Sequence, residues 1–183
     1  MKRVTLAIIV AEYVAIVSAI VFAAPKQSRV KRLSEITVFF SPNGGCTEAI
    51  VSEIEKARSE ILVQAYSFTS EPIADALQGA TIRQVAVTIL VDKSGNAPDN
   101  KFSMAGRMAL VAEVLVDGAH AIAHNKIMVI DSKTVITGSF NFSASAEHKN
   151  AENLLVIKDK DVAAIYKRNF EQHKAHSKPW GEK

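Results

Sequence analysis

The chain has a single cysteine, Cys46, in 183 residues. An internal disulfide is therefore impossible, and a thiolate-rich zinc site has no ligands, so redox and zinc-finger classes drop out. Glycine (8) and proline (5) are too sparse for a fibrous or low-complexity chain. Charge of one sign is not in large excess: 22 Lys and Arg against 19 Asp and Glu leave +3, a mild basic balance that suits an anionic partner without naming it. Hydrophobic residues at 48% and charged residues at 22% are close to globular averages, which excludes disorder. The length is near that of one domain of ~150 residues, so the chain holds at most one catalytic module. No internal repeat is visible.

The apolar residues are unevenly spread. Val4 to Ala24 is almost wholly apolar behind the basic pair Lys2 and Arg3. A positive start, an apolar core and small residues at its end read as a secretory signal peptide over residues 1–24, cleaved after Ala23. This implies a periplasmic or secreted protein. The alternative is an uncleaved membrane anchor, since the run is about the ~20 residues that span a bilayer, although Glu12 near its middle is costly there. Cleavage would remove Lys2, Arg3 and Glu12 and leave a net charge of +2. Residues 25–34, polar and basic after Pro25, read as a linker.

Residues 35–176 carry the pattern of one α/β domain. Ile36–Phe40, Ile61–Phe68, Val85–Asp92 and Glu113–Asp117 read as strands. Thr47–Arg58 with Thr47 as N-cap, Pro72–Ile82 and Lys101–Leu110 read as the helices between them, with loops at 41–45 and 94–100. Then the character changes. Lys126–Ile130 and Thr134–Thr137 form a hairpin about Asp131-Ser132-Lys133, Asn153–Ile157 adds a strand, and Asp161–His173 is an amphipathic helix with Val162, Ile165 and Phe170 on its apolar side. Residues 177–183 read as a tail.

Polar residues interrupt the second half at fixed offsets. His124 and Lys126 are two apart, so strand periodicity points them the same way. The hairpin returns Gly138-Ser139-Phe140-Asn141 toward the same edge, and Glu152 opens the next strand within reach of the imidazole. Imidazole, ammonium, hydroxyl and amide converging on one point suit an anionic, oxygen-rich centre such as a phosphodiester. A neutral imidazole can attack phosphorus, Lys126, Ser139 and Asn141 can hold nonbridging oxygens, and a carboxylate can fix the imidazole tautomer. No metal or cofactor is required by this set.

His124-Asn125-Lys126, Asp131 after four residues and Gly138-Ser139-Phe140-Asn141 after six more match the H-x-K-x4-D-x6-G-S-x-N signature, and the chain resembles the phospholipase D superfamily. Residues 40–50, 61–70, 120–126 and 149–157 resemble its small bacterial, often plasmid-borne nuclease branch. The resemblance covers about residues 36–176. It implies a mixed β-sheet flanked by helices on both faces in a single domain, and metal-independent cleavage of DNA or RNA phosphodiesters. By position it makes His124 the nucleophile, Lys126 and Asn141 phosphate binders, Ser139 a supporting donor and Glu152 the carboxylate that orients the histidine. Asp131 is structural. Gln84 and Val111-Ala112 stand where relatives have glycine. A phosphohistidine mechanism needs a second imidazole to protonate the leaving group, and this chain has one motif, so a homodimer with its active site on the twofold axis follows. Alternatives are a phospholipase D acting on lipid headgroups, for which an uncleaved anchor would speak, and a non-catalytic nucleic-acid-binding dimer.

Other features read more simply. His120 and His124 lack the helix and glutamate of an H-E-x-x-H metal pair. His173 and His176 read as solvent-facing, and Gly44-Gly45 as a turn without a P-loop lysine. No G-x-S-x-G frames Ser139. Lys31 and Arg32 read as solvated linker charge. Tyr66 and Phe68 read as core, whereas Phe140 and Phe142 leave room for stacking on bases.

Overall fold

The computed structural model of the chain describes residues 35–96 and 100–182; the export segment and linker expected over 1–34 lie outside them. Eight strands form one sheet: β1 (Glu35–Ser41), β2 (Glu60–Ala65), β3 (Ala86–Asp92), β4 (Glu113–Asp117), β5 (Lys126–Ile130), β6 (Thr134–Gly138), β7 (Glu152–Lys158) and β8 (Lys178–Pro179), in the order β1-β7-β6-β5-β2-β3-β4-β8. The strand–helix–strand alternation of the first half makes β2, β3 and β4 parallel, and every other pairing is antiparallel, so the sheet is mixed.

The helices are α1 (Cys46–Lys56), α2 (Glu71–Ile82), α3 (Ala105–Met108), α4 (Ala144–His148) and α5 (Lys160–Lys174). Alternation along the strands feeds two cores. Ile61, Val63 and Met128 face Ile50, Ile54, Ile73, Leu77 and Met108 on the side of α1 to α3. Leu62, Ile127 and Val129 face Val162, Ala163 and Phe170 of α5 on the other. Each large side chain buried in this way contributes about 1.5–3 kcal/mol relative to exposure. The reach of α5 stops short of β1, leaving Ile36, Val38 and Phe40 exposed on that face.

Four boundaries depart from the sequence reading. Gly45, at φ 80°, rather than Thr47, is the N-cap of α1, and it has no side chain to offer the free amides. The buried Glu147 carboxylate takes their place, accepting from Gly45 N–H (3.3 Å) and Thr47 N–H (2.7 Å). The helix expected over 101–110 shrinks to α3, because Asn100 accepts from the Phe102 and Ser103 amides and Ser103 Oγ donates to Asn96, which holds the chain in turns. The first strand after α1 ends at Ala65, and Phe68 makes only an isolated bridge to Phe142. The supposed tail is part of the fold: β8 pairs with β4, and the Trp180 indole donates to the Asn96 carbonyl at 2.8 Å.

At the end of α2, Gln84 sits at φ 65° in a Schellman arrangement, its N–H bonded to Thr81 O and that of Val85 to Ala80 O. A left-handed position of this kind favours glycine, and here a glutamine fills it.

Candidate active site

Strand register brings the motif together. Lys126 pairs with Ala65, Ile127 with Thr137, Gly138 with Leu154, and Ser41 with Glu152. The ends of β1, β2 and β6 and the starts of β5 and β7 therefore share one edge of the sheet. His124, Lys126, Ser139, Asn141 and Glu152 all lie along it.

Lys126 is buried, and its Nζ donates to the His124 carbonyl at 2.7 Å and lies 3.0 Å from His124 Nδ1. An ammonium has only donors, so Nδ1 accepts and holds its lone pair. Burial pushes the Lys126 pKa down from the ordinary lysine value, and the Glu152 charge partly opposes this. Tyr66, read as core from sequence, belongs here: its ring centroid is 4.3 Å from that of the exposed His124 and 4.9 Å from Lys126 Nζ, a cation–π distance. Its position just past β2 at this edge was the available signal.

The segment before His124 is held by groups that no motif marks. Ala123 N–H donates to the buried Asp92 carboxylate at 2.6 Å, and Lys93 Nζ donates to the carbonyls of Gly118 and His120. Burial works to raise the Asp92 pKa, but hydrogen bonds from Ser94 and Ala123 outweigh it and hold the carboxyl below its usual range. Across the site, Ser139 Oγ accepts from the backbone and side-chain N–H groups of Asn153, leaving its own O–H to donate. Asn141 Oδ1 is buried without a hydrogen-bond partner among the described residues. An orphan acceptor of this kind costs about 1–3 kcal/mol, and the Nδ2 of the same amide is the atom that can donate to a phosphate oxygen.

Glu152 departs from its expected role. Its carboxylate accepts from Asn150 Nδ2 at 3.1 Å and does not pair with His124 within the chain; its charge acts on Lys126 instead. Asp131 sits at the far end of β5, accepting from the amides of Arg58, Ser59 and Glu60 and from Ser59 Oγ. Phe140 and Phe142 are fully buried and offer no surface to a base, which corrects the stacking expectation. His173, read as solvent-facing, is half-buried with its Nδ1 2.6 Å from Asp117, whereas His176 is exposed as expected, its Nε2 3.3 Å from the same carboxylate. Cys46 is buried, and burial followed by the Glu147 charge pushes its thiol up to about 11, so it is no nucleophile at neutral pH.

An imidazole whose Nδ1 lone pair faces a buried ammonium, a hydroxyl and a carboxamide at one open edge form a constellation for an anionic phosphorus centre. A family model described as a cardiolipin synthase, PLD-like domain matches residues 50–174, and the chain belongs to this family, within the phospholipase D superfamily of phosphodiester hydrolases. It is 41% identical to a phospholipase D of Rickettsia conorii over 143 residues, covering 78% of this chain and 70% of that one. Identity to the mitochondrial cardiolipin hydrolase of Xenopus laevis is 29% over 165 residues, 79% and 78% of the two chains. Nuc, a phospholipase D family member from Salmonella typhimurium, superposes with a TM-score of 0.76 at 32% identity, over 81% of this chain and 99% of that one. NucT from Helicobacter pylori gives 0.74 at 25% identity, over 80% and 99%.

Proposed function

We propose that the protein is a metal-independent endonuclease that cleaves DNA and RNA without sequence preference through a phosphohistidine on His124. The observation that carries this is the contact between Lys126 Nζ and His124 Nδ1 at an exposed sheet edge. A bound phosphodiester offers the ammonium a nonbridging oxygen in place of Nδ1. The released imidazole attacks phosphorus, a P–N bond forms as a P–O bond breaks, and Ser139 and Asn141 hold the oxygens on which charge builds. Water then cleaves the P–N bond and restores the imidazole. An open edge flanked by the exposed Lys93 and Lys149 suits a polymer backbone running across it.

The leaving oxygen needs a proton, Lys126 and Asn141 being assigned to the nonbridging oxygens, and we assign this to His124 of a second copy across a twofold axis. Ile36, Val38 and Phe40 support the dimer. They form an exposed apolar strip on the face α5 leaves bare, and Phe40 pairs with Asn153, the partner of Ser139, so the strip ends at the site. In this arrangement Glu152 is free to orient an imidazole across the interface.

Similarity to the Rickettsia phospholipase D favours a second reading, attack on phospholipid headgroups. Incubating the full chain in EDTA with plasmid DNA, RNA and phosphatidylcholine vesicles separates the two. Cleavage of both nucleic acids in EDTA, falling at least about 10³-fold in H124A, is expected. Turnover of vesicles alone establishes the lipid reading, and nucleic-acid binding without cleavage in the unaltered protein reduces it to a binding dimer. The V38E/F40E double variant sediments as a monomer and loses activity; a fully active monomer at high dilution refutes the shared site.

A further inference from the structure

Three imidazoles converge on one carboxylate away from the phosphodiester site. Asp117 ends β4, His120 lies in the loop that follows, His173 is in the last turn of α5, and His176 is just beyond it. The Asp117 side chain is 2% exposed. His120 Nδ1 lies 3.1 Å from both its oxygens, His173 Nδ1 2.6 Å from Oδ2, and His176 Nε2 3.3 Å from Oδ1. One ligand atom from each residue lies within 4.8 Å of the other three. Four donors around a tetrahedral zinc ion at about 2.1 Å stand about 3.4 Å from one another, so the set closes when the 2.6 Å His173–Asp117 contact opens slightly and the exposed His120 and His176 side chains rotate inward.

We propose that Asp117, His120, His173 and His176 form a structural binding site for a divalent transition-metal ion, with zinc the best fit. The donor set decides the class of ligand. A buried carboxylate at the centre repels phosphate and other anions, and three imidazole nitrogens with one oxygen suit zinc and its neighbours rather than magnesium or calcium. Four protein ligands fill a tetrahedral shell and leave no position for substrate, which makes the site structural rather than catalytic. The Asp117 carboxylate is held by the Ala119 N–H, and the backbone carrying two of the histidines is tied down by Ser177 Oγ at the His173 carbonyl and Lys93 Nζ at the His120 carbonyl. The two ligand pairs, each three residues apart, come from distant parts of the chain. A metal here clamps the C-terminal end of α5 to β4 and fixes the loop that reaches His124 four residues after His120.

The test uses the full chain, with Zn²⁺ titrated calorimetrically and Co²⁺ as an optical probe. One Zn²⁺ per chain, a raised melting temperature and the visible absorption of tetrahedral Co²⁺ are expected. H120Q and H176Q remove exposed ligands at little risk to folding. Each weakens Zn²⁺ binding more than about 100-fold, beyond what loss of an outer-shell partner costs, while H124A binds as the unaltered protein does. Absence of stoichiometric Zn²⁺ binding overturns the proposal, as does an H120Q/H176Q double variant that binds as tightly as the original. The same double variant keeps its hydrolytic activity in EDTA at 25 °C, which separates this site from the chemistry at His124.

Discussion

Replacing Asp131 tests whether the aspartate of the H-x-K-x4-D signature takes part in chemistry or only in folding. It lies five positions beyond Lys126 along β5, about 17 Å at the rise of an extended strand, so it cannot touch a phosphate held there. Its Oδ1 accepts from Ser59 N–H and Oγ at 2.8 Å each, and its Oδ2 from Arg58 N–H at 3.0 Å. Asparagine tolerates the left-handed backbone at φ 52° and keeps one acceptor, but turns an amide N–H against that of Arg58. Arg58 and Ser59 are exposed, so donors set free find water, which keeps each loss near the low end of the range for charged acceptors. D131N should cost about 1–2 kcal/mol and D131A, which adds backbone strain, about 2–3 kcal/mol. Urea unfolding measures the loss, and kcat/KM of the folded variants should stay within about twofold of the original. Burial acts to raise the Asp131 pKa, but the Ser59, Glu60 and Arg58 donors outweigh it and hold the carboxyl below its ordinary value. Its contribution is therefore complete above the unfolded pKa of about 3.9 and fades as pH falls through the lower folded value, so D131N flattens the acid limb of the stability profile. A D131N variant of unchanged stability with kcat down about 100-fold would refute the reasoning.

Three further outcomes follow from the same contacts. Q84G relieves the left-handed strain at the end of α2 and should raise stability by about 0.5–1 kcal/mol in urea melts. E147Q weakens the cap that serves Gly45 and Thr47, costing about 1–2 kcal/mol and loosening the first turn of α1 in hydrogen exchange. Lys126 must be protonated to hold phosphate and its pKa lies below the lysine norm, so the pH–rate profile should fall on its alkaline side before ordinary lysines titrate; K126R, charged throughout, should lack that limb.

Local pattern made most of the scaffold readable, because alternation and helical spacing in the chain report which face each residue buries. The parallel β2-β3-β4 unit and the β5-β6 hairpin follow from it directly. The motif residues were readable because four of them lie within eighteen positions, on a hairpin whose register places them. Tyr66 and Asp92 escaped, since they reach the site through pairing with strands distant in sequence and carry no spacing signal. His173 departs for the same reason: a helix end looks solvated until β4 supplies Asp117. Lys101–Leu110 has helical periodicity, yet local Asn and Ser hydrogen bonds outcompete the first turns. The Glu152–His124 contact expected within one chain is absent; the carboxylate accepts from Asn150 instead.

The two rims of the sheet are not equivalent. Strand β8 is two residues long and ends in Pro179, which has no amide hydrogen, so that rim offers no template for lateral growth. At the opposite rim β1 runs for seven residues without proline, glycine or lysine. Any ribbon-like polymer of this protein would therefore nucleate from β1, and a lysine or proline there is the first place to look for a remedy.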